Sequence, residues 1–85
     1  MPIQIPSVHL NGDSRAELVR QHRLVYDKAC DLLDALTEAS PNNLNFYPLG
    51  DEAIRHAQAE HRQRVFAAQS IKTDMEMILA AIMKD

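Results

Sequence analysis

Eighty-five residues, 46% hydrophobic and 25% charged, make one small domain of ordinary globular composition. Nine Lys/Arg against twelve Asp/Glu leave a net charge of -3, which argues against direct nucleic-acid binding, and a single cysteine excludes a disulfide framework or a multi-cysteine zinc site. No apolar run approaches the roughly 20 residues of a membrane span, and the start, MPIQIPSVHLNG, lacks the basic and apolar regions of a signal peptide, so a soluble protein of a reducing compartment is expected.

The first segment, residues 1–13, reads as an extended N-terminal arm. Pro2 and Pro6 forbid a regular helix there. Ile3 and Ile5 alternate around Gln4, and Val8 and Leu10 continue the strand-like pattern. Four aliphatic residues predict that the arm packs on something. Asn11-Gly12 signals a turn.

Residues 14–39 read as the first helix. Ser14 and Glu17 have capping-box spacing, with each side chain expected to bond the other's backbone N–H. No Pro or Gly interrupts the chain until Pro41, which disfavours helix at Ser40. Residues 40–50, SPNNLNFYPLG, carry two prolines, three asparagines and a glycine, the composition of a loop. Leu44, Phe46, Tyr47 and Leu49 make that loop unusually apolar. A second helix is expected over residues 51–83, with Asp51 as its N-cap and Glu52 at the positive end of its dipole.

Each helix has an apolar stripe. On the first, Leu18, His22, Val25, Ala29, Leu32 and Leu36 recur at spacings of three and four, widened by Val19, Tyr26 and Leu33. On the second, Val65, Ala68, Ile71, Met75, Ile78 and Ile82 form the strongest seam. The fold class expected is all-α: an antiparallel two-helix hairpin with an extended arm, completed by homo-oligomerisation into a four-helix-bundle-like dimer or a larger ring. A loop centred in residues 40–50 places His61 near Cys30 and His22 near Gln69, about 12 Å apart along the hairpin. The second helix then outruns the first and leaves Ile78, Leu79, Ile82 and Met83 for the arm to cover. Charge supports the doubling back. Arg15, Arg20 and Arg23 precede Asp27, Asp31, Asp34 and Glu38 on the first helix. Arg55, Arg62 and Arg64 precede Asp74 and Glu76 on the second, so opposite signs meet at both ends.

Candidate chemistry is sparse. Glu52, His56 and Glu60 stack four apart, a spacing that suits a metal but equally a ladder of surface ion pairs. His22 and His61 fall on apolar faces, as core histidines or as part of a polar junction between subunits. Arg64 on the inner seam needs an anion, whether Asp27, Asp31 or Asp34 or a bound phosphate. The four acids Asp27, Asp31, Asp34 and Glu38 form a solvated stripe or a mimic of a phosphate backbone. Cys30 reads as a small buried hydrophobe rather than a nucleophile. Asn42, Asn43, Asn45, Phe46 and Tyr47 can cap the bend or stack on a planar ligand. No catalytic motif is readable, and neither an enzyme nor a cofactor is implied.

Three segments, V-H-L-N-G-D-S-R-A-E-L, S-P-N-N-L-N-F-Y-P-L-G-D-E-A and A-E-H-R-Q-R, resemble a family of short α-helical proteins of tailed phages and prophages. The most specific parts are Asn11-Gly12 with Ser14, Pro41-Asn42 with Phe46-Tyr47-Pro48 and Gly50, and Glu60-His61 with Arg64. Where that family often carries G-R-D-Y-Y, this chain has Asn43-Leu44-Asn45-Phe46-Tyr47, so a loop arginine has no counterpart at Leu44. The resemblance implies a phage context and a helical fold, and no reaction. By analogy with small oligomeric phage proteins, it implies a non-enzymatic accessory protein in the host cytoplasm. Such a protein would bind a host defence protein or sequester its cyclic or other nucleotide signal. The alternative is a structural assembly protein acting only through self-association. The expected contact residues are Asn11, Asn45, Phe46, Tyr47, His61 and Arg64.

Overall fold

In the computed structural model residues 3–84 are described, and they are all-helical, with no strand among them. Pro2 lies outside the described residues. The order is α1 (Arg15–Glu38), a one-turn α2 (Asn43–Phe46), a 3-10 turn (Tyr47–Leu49) and α3 (Asp51–Met83). The aliphatic alternation in the arm therefore forms no strand. Asn11 and Gly12 lie in a turn closed by the Gly12 N–H donating to His9 O at 3.2 Å.

Half of the expected capping box is made. Ser14 Oγ accepts from the Glu17 N–H at 3.1 Å. The Glu17 carboxylate, however, accepts from Arg20 at 2.6 and 2.9 Å and from Gln21 at 3.2 Å. A charge-assisted two-point contact with a guanidinium outcompetes a single reach back to the Ser14 N–H. These bonds and the Arg20 charge hold the Glu17 carboxyl at about 2, well below the usual range. At the other end of α1, the Ala39 N–H reaches Ala35 O and Leu36 O, and Ser40 Oγ–H donates to Thr37 O at 2.9 Å.

The connection is not the open loop expected over residues 40–50. Asn43–Phe46 winds one helical turn and Tyr47–Leu49 a 3-10 turn. Gly50 then adopts φ 96°, ψ 165°, a conformation closed to side-chain-bearing residues. The N-cap of α3 is this Gly50 rather than Asp51, because Asp51 already has helical geometry. Asp51 and Glu52 instead sit in the first turn, facing the positive end of the dipole.

Winding the connection changes the register of the long helices. Leu18 packs with Ile78 and Ile82, Lys72 lies over the Tyr26 ring at 5.8 Å, and Ser40 Oγ meets His61 Nε2 at 3.3 Å. Relative to a symmetric loop, this displaces the pairing by about eight residues, or roughly 12 Å. The expected neighbours His61–Cys30 and His22–Gln69 are not formed. The overhang of α3 lies at the bend, where its first turns pack on α2 and the 3-10 turn. At its other end Ile78 and Ile82 are buried against Leu18, with Ile3 and Ile5 of the arm packed on the same cluster. Val8 and Leu10 take no part and are exposed.

The core is thin. Leu18, Ala29, Ala68, Ile78 and Ile82 are the buried hydrophobic residues among those described, and none has a fully enclosed large side chain. Val65 and Met75 of the expected seam are half-buried, and Ile71 is exposed. The chain measures 60 × 24 × 19 Å with a radius of gyration of 18.1 Å, against ~12 Å for a compact domain of this length. Its 6615 Å² of accessible surface exceeds the ~5,100 Å² of a compact monomer of this mass by roughly 1,500 Å².

Two outcomes follow. Ile82→Ala removes the most enclosed aliphatic side chain of the Leu18 cluster and should lower stability by about 2–4 kcal/mol in urea unfolding followed by circular dichroism; Ile3→Ala, at the half-buried edge, should cost less. The depressed Glu17 pKa makes its stabilising contribution complete above the usual carboxylate range and lost as pH falls toward its folded value. Glu17→Gln should therefore flatten the pH dependence of melting temperature between pH 4.5 and about 2.

Candidate functional site

The six expected contact residues do not converge. Asn11 precedes α1, whereas Asn45, Phe46 and Tyr47 lie beyond its other end, about 36 Å of helix away. Phe46 is half-buried under the connection, and Asn45 and Tyr47 are exposed. His61 spends its Nε2 on Ser40. His22 donates from Nδ1 to Leu18 O at 2.7 Å, a helix-local bond that satisfies a half-buried imidazole. In the observed register the two histidines lie about 25 Å apart along the helices, so no joint site forms.

Arg64 is not on the inner seam. Its side chain is 62% exposed and lies 3.9 Å from Glu60 on its own helix, not against Asp27, Asp31 or Asp34. The heptad position that placed it inward drifts outward along a straight helix by ~20° per repeat. Glu52 pairs with Arg55 at 4.0 Å. Among the described residues no three His, Cys, Asp or Glu side chains cluster to hold a metal ion. The expected charge pairing between helices is also missing: the ion pairs among the described residues, Glu17–Arg20, Glu52–Arg55 and Glu60–Arg64, are all within one helix. Lys72 over Tyr26 is the cation's contact across the seam. The Cys30 thiol beside the Tyr26 hydroxyl, more than any other neighbour, raises the pKa of that phenol, while Lys72 acts the other way.

Two surface features take the place of the expected site. The first is the bend. Leu44, Tyr47 and Leu49 are 82%, 67% and 72% exposed. They project from wound turns rather than a slack loop, so apolar groups stand in water on a fixed backbone. The second is a shallow, open groove along one face of α3, bordered by Ala59, Arg62, Gln63 and Phe66 at helical spacings of three and four. Phe66 is 72% exposed in mid-helix. Arg62 makes no ion pair among the described residues. An open aromatic face beside an unpaired guanidinium and an amide is the side-chain set that stacks a base and holds a phosphate. Sequence reasoning missed Arg62, Gln63 and Phe66. The available signal was Phe66 itself, the one aromatic of α3, lying off the apolar stripe.

No family model matches the chain, and neither a curated protein nor a solved structure matches it significantly. No helix among the described residues is long and apolar enough to cross a membrane.

Arg64→Ala removes an exposed pair and should change stability by no more than about 0.5 kcal/mol, with helicity and native mass unaltered. A large loss of either would place Arg64 back at a junction.

Proposed function

We propose that the protein is a non-enzymatic phage accessory protein: a helical hairpin that self-associates and counteracts a host defence system by sequestering its nucleotide signal in the host cytoplasm. The phage setting is supported by the resemblance carried by Asn11-Gly12 with Ser14, by the Pro41–Gly50 segment and by Glu60-His61 with Arg64. The observation that carries the binding role is the Arg62–Gln63–Phe66 groove. A nucleotide offers a flat base and an anionic phosphate. Phe66 supplies a stacking face, Gln63 a donor and an acceptor for a base edge, and Arg62 a two-point phosphate clamp. Nothing within the groove activates a nucleophile or transfers a proton, so binding without turnover is the function assigned.

A second reading, a host defence protein as the target, has its own observation in the exposed apolar bend. Leu44, Tyr47 and Leu49 present the compact, preformed anchor that protein interfaces use.

Native mass spectrometry of the purified protein, followed by titration with cyclic di- and trinucleotides, separates the two. Sequestration predicts nucleotide bound intact, with Phe66→Ala weakening it by roughly 5- to 150-fold, the range of one base stack. Arg62→Ala should weaken it and reduce its salt dependence. Affinity unchanged in both variants rejects the groove. A binding defect confined to Leu44→Ser, Tyr47→Ser and Leu49→Ser, read against a defence protein rather than a nucleotide, selects the second reading.

A further inference from the structure

On one side of the α1–α3 seam runs a strip that the fold leaves open. Val25 is 44% exposed, Leu32 47% and Ile71 44%. Together with Lys28 and the buried Ala29, Val25, Leu32 and Ile71 line a groove of about 210 Å³ walled almost wholly by apolar atoms. The seam residues expected to join subunits are largely unavailable, since Ala68, Ile78 and Ile82 are consumed inside the chain.

We propose that this strip is where a second copy of the chain docks, as a two-fold antiparallel dimer centred between Lys28 and Ala29. The inference builds on the self-association in the proposed function but is independent of what either the α3 groove or the bend binds.

Three observations select a second copy as the occupant. The first is area. The chain exposes roughly 1,500 Å² more than a compact monomer of its mass, and a standard dimer buries ~800 Å² per partner. Closing this face would bury part of that excess.

The second is self-complementarity in register. Val25 and Leu32 lie at equal distances either side of the Lys28–Ala29 midpoint, and Ile71 lines the same groove from α3. A two-fold axis crossing the helices at that level sets Val25 of each copy against Leu32 of the other and Ile71 against Ile71. A two-fold interface requires this reciprocity, in which residue i meets j and j meets i.

The third is charge. Lys28 lines the groove and forms no ion pair among the described residues. Asp31, one helical turn further on, is exposed. The same axis brings Lys28 of each copy to Asp31 of the other, giving two equivalent pairs at the rim of the apolar strip.

The test is solution mass with charge reversal. Sedimentation equilibrium of the wild type should give twice 9.6 kDa. Leu32→Asp should give a monomer. Because that substitution can also unfold so thin a core, Lys28→Asp is the decisive variant: it replaces an exposed side chain, and it should raise the dimer Kd at least about tenfold at low salt. Adding Asp31→Lys should restore wild-type association. With Cys30→Ser as background, Ile71→Cys should form a disulfide-linked dimer under mild oxidation, whereas Phe66→Cys should not. A monomeric wild type, a dimer indifferent to Lys28→Asp, or failure of the double reversal to rescue overturns the proposal. Nucleotide binding by a dimer indifferent to Lys28→Asp would leave the proposed function standing and remove only this interface, whereas a monomeric wild type that still binds nucleotide would remove self-association from it as well.

Discussion

Leu18 meeting Ile78 and Ile82 sets the register on which the remaining contacts depend. Once that cluster forms, Tyr26 comes level with Lys72 and Ser40 with His61, and the first turns of α3 are left beyond the end of α1. The connection has to climb that overhang, and it does so by winding into α2 and a 3-10 turn before Gly50 reverses the chain at positive φ. Mid-way, the buried residues are Ala29 and Ala68, whose small side chains let two backbones approach without filling a core. The arm supplies what the helices lack at the Leu18 end, through Ile3 and Ile5. Area burial sets the scale: each aliphatic side chain sequestered contributes about 1.5–3 kcal/mol, and few are sequestered.

The two long helices were legible because their punctuation is local. Ser14 caps α1, Pro41 ends its approach to the bend, and Gly50 precedes an unbroken run of helix formers; each acts within a turn of itself. Register is not local. Midpoint reasoning treats residues 40–50 as a featureless joint, and the helical winding of Asn43–Leu49 invalidates it. The expectations built on the midpoint failed together: the neighbours of His22 and His61 and the overhang at Ile78–Met83. Periodicity finds which residues are apolar, but it cannot say which flank of a wide stripe meets a neighbour. Ala29 and Leu32 both belong to the α1 stripe, yet one is buried and the other half open. The same limit hid Phe66, because a stripe-based reading discards residues on the far side of a helix.

Charge behaves differently from the expectation for the same reason. With opposite signs arranged along each helix, antiparallel packing offers pairs across the seam, but the acidic residues of α1 point away from α3. Asp27, Asp31, Asp34 and Glu38 are all exposed. Ion pairing then falls back to spacings of three and four within a helix, where no long-range placement is needed. Such pairs contribute little to stability, so the fold rests on its aliphatic contacts. The acids remain free to set the sign of one face, while at the start of α3 Arg55, Arg62 and Arg64 are balanced by Asp51, Glu52 and Glu60.

A rod with its core on one edge distributes its apolar residues differently from a sphere. Val25, Leu32 and Ile71 gather beside the seam, Leu44, Tyr47 and Leu49 at the bend, and Phe66 and Met77, three turns apart, on the outer face of α3. These groups differ in what can cover them. The seam strip is flanked by Lys28 and Asp31 and level with its own two-fold image, which is the basis of the proposed docking of a second copy. The bend is short and convex, and a symmetric partner would meet it only at a point. Phe66 lies with Ala59 beside Arg62 and Gln63, the side-chain set on which the proposed flat anionic ligand rests. Under the proposed assembly the other two surfaces would stay in solvent on every copy, so whatever either binds would be presented more than once.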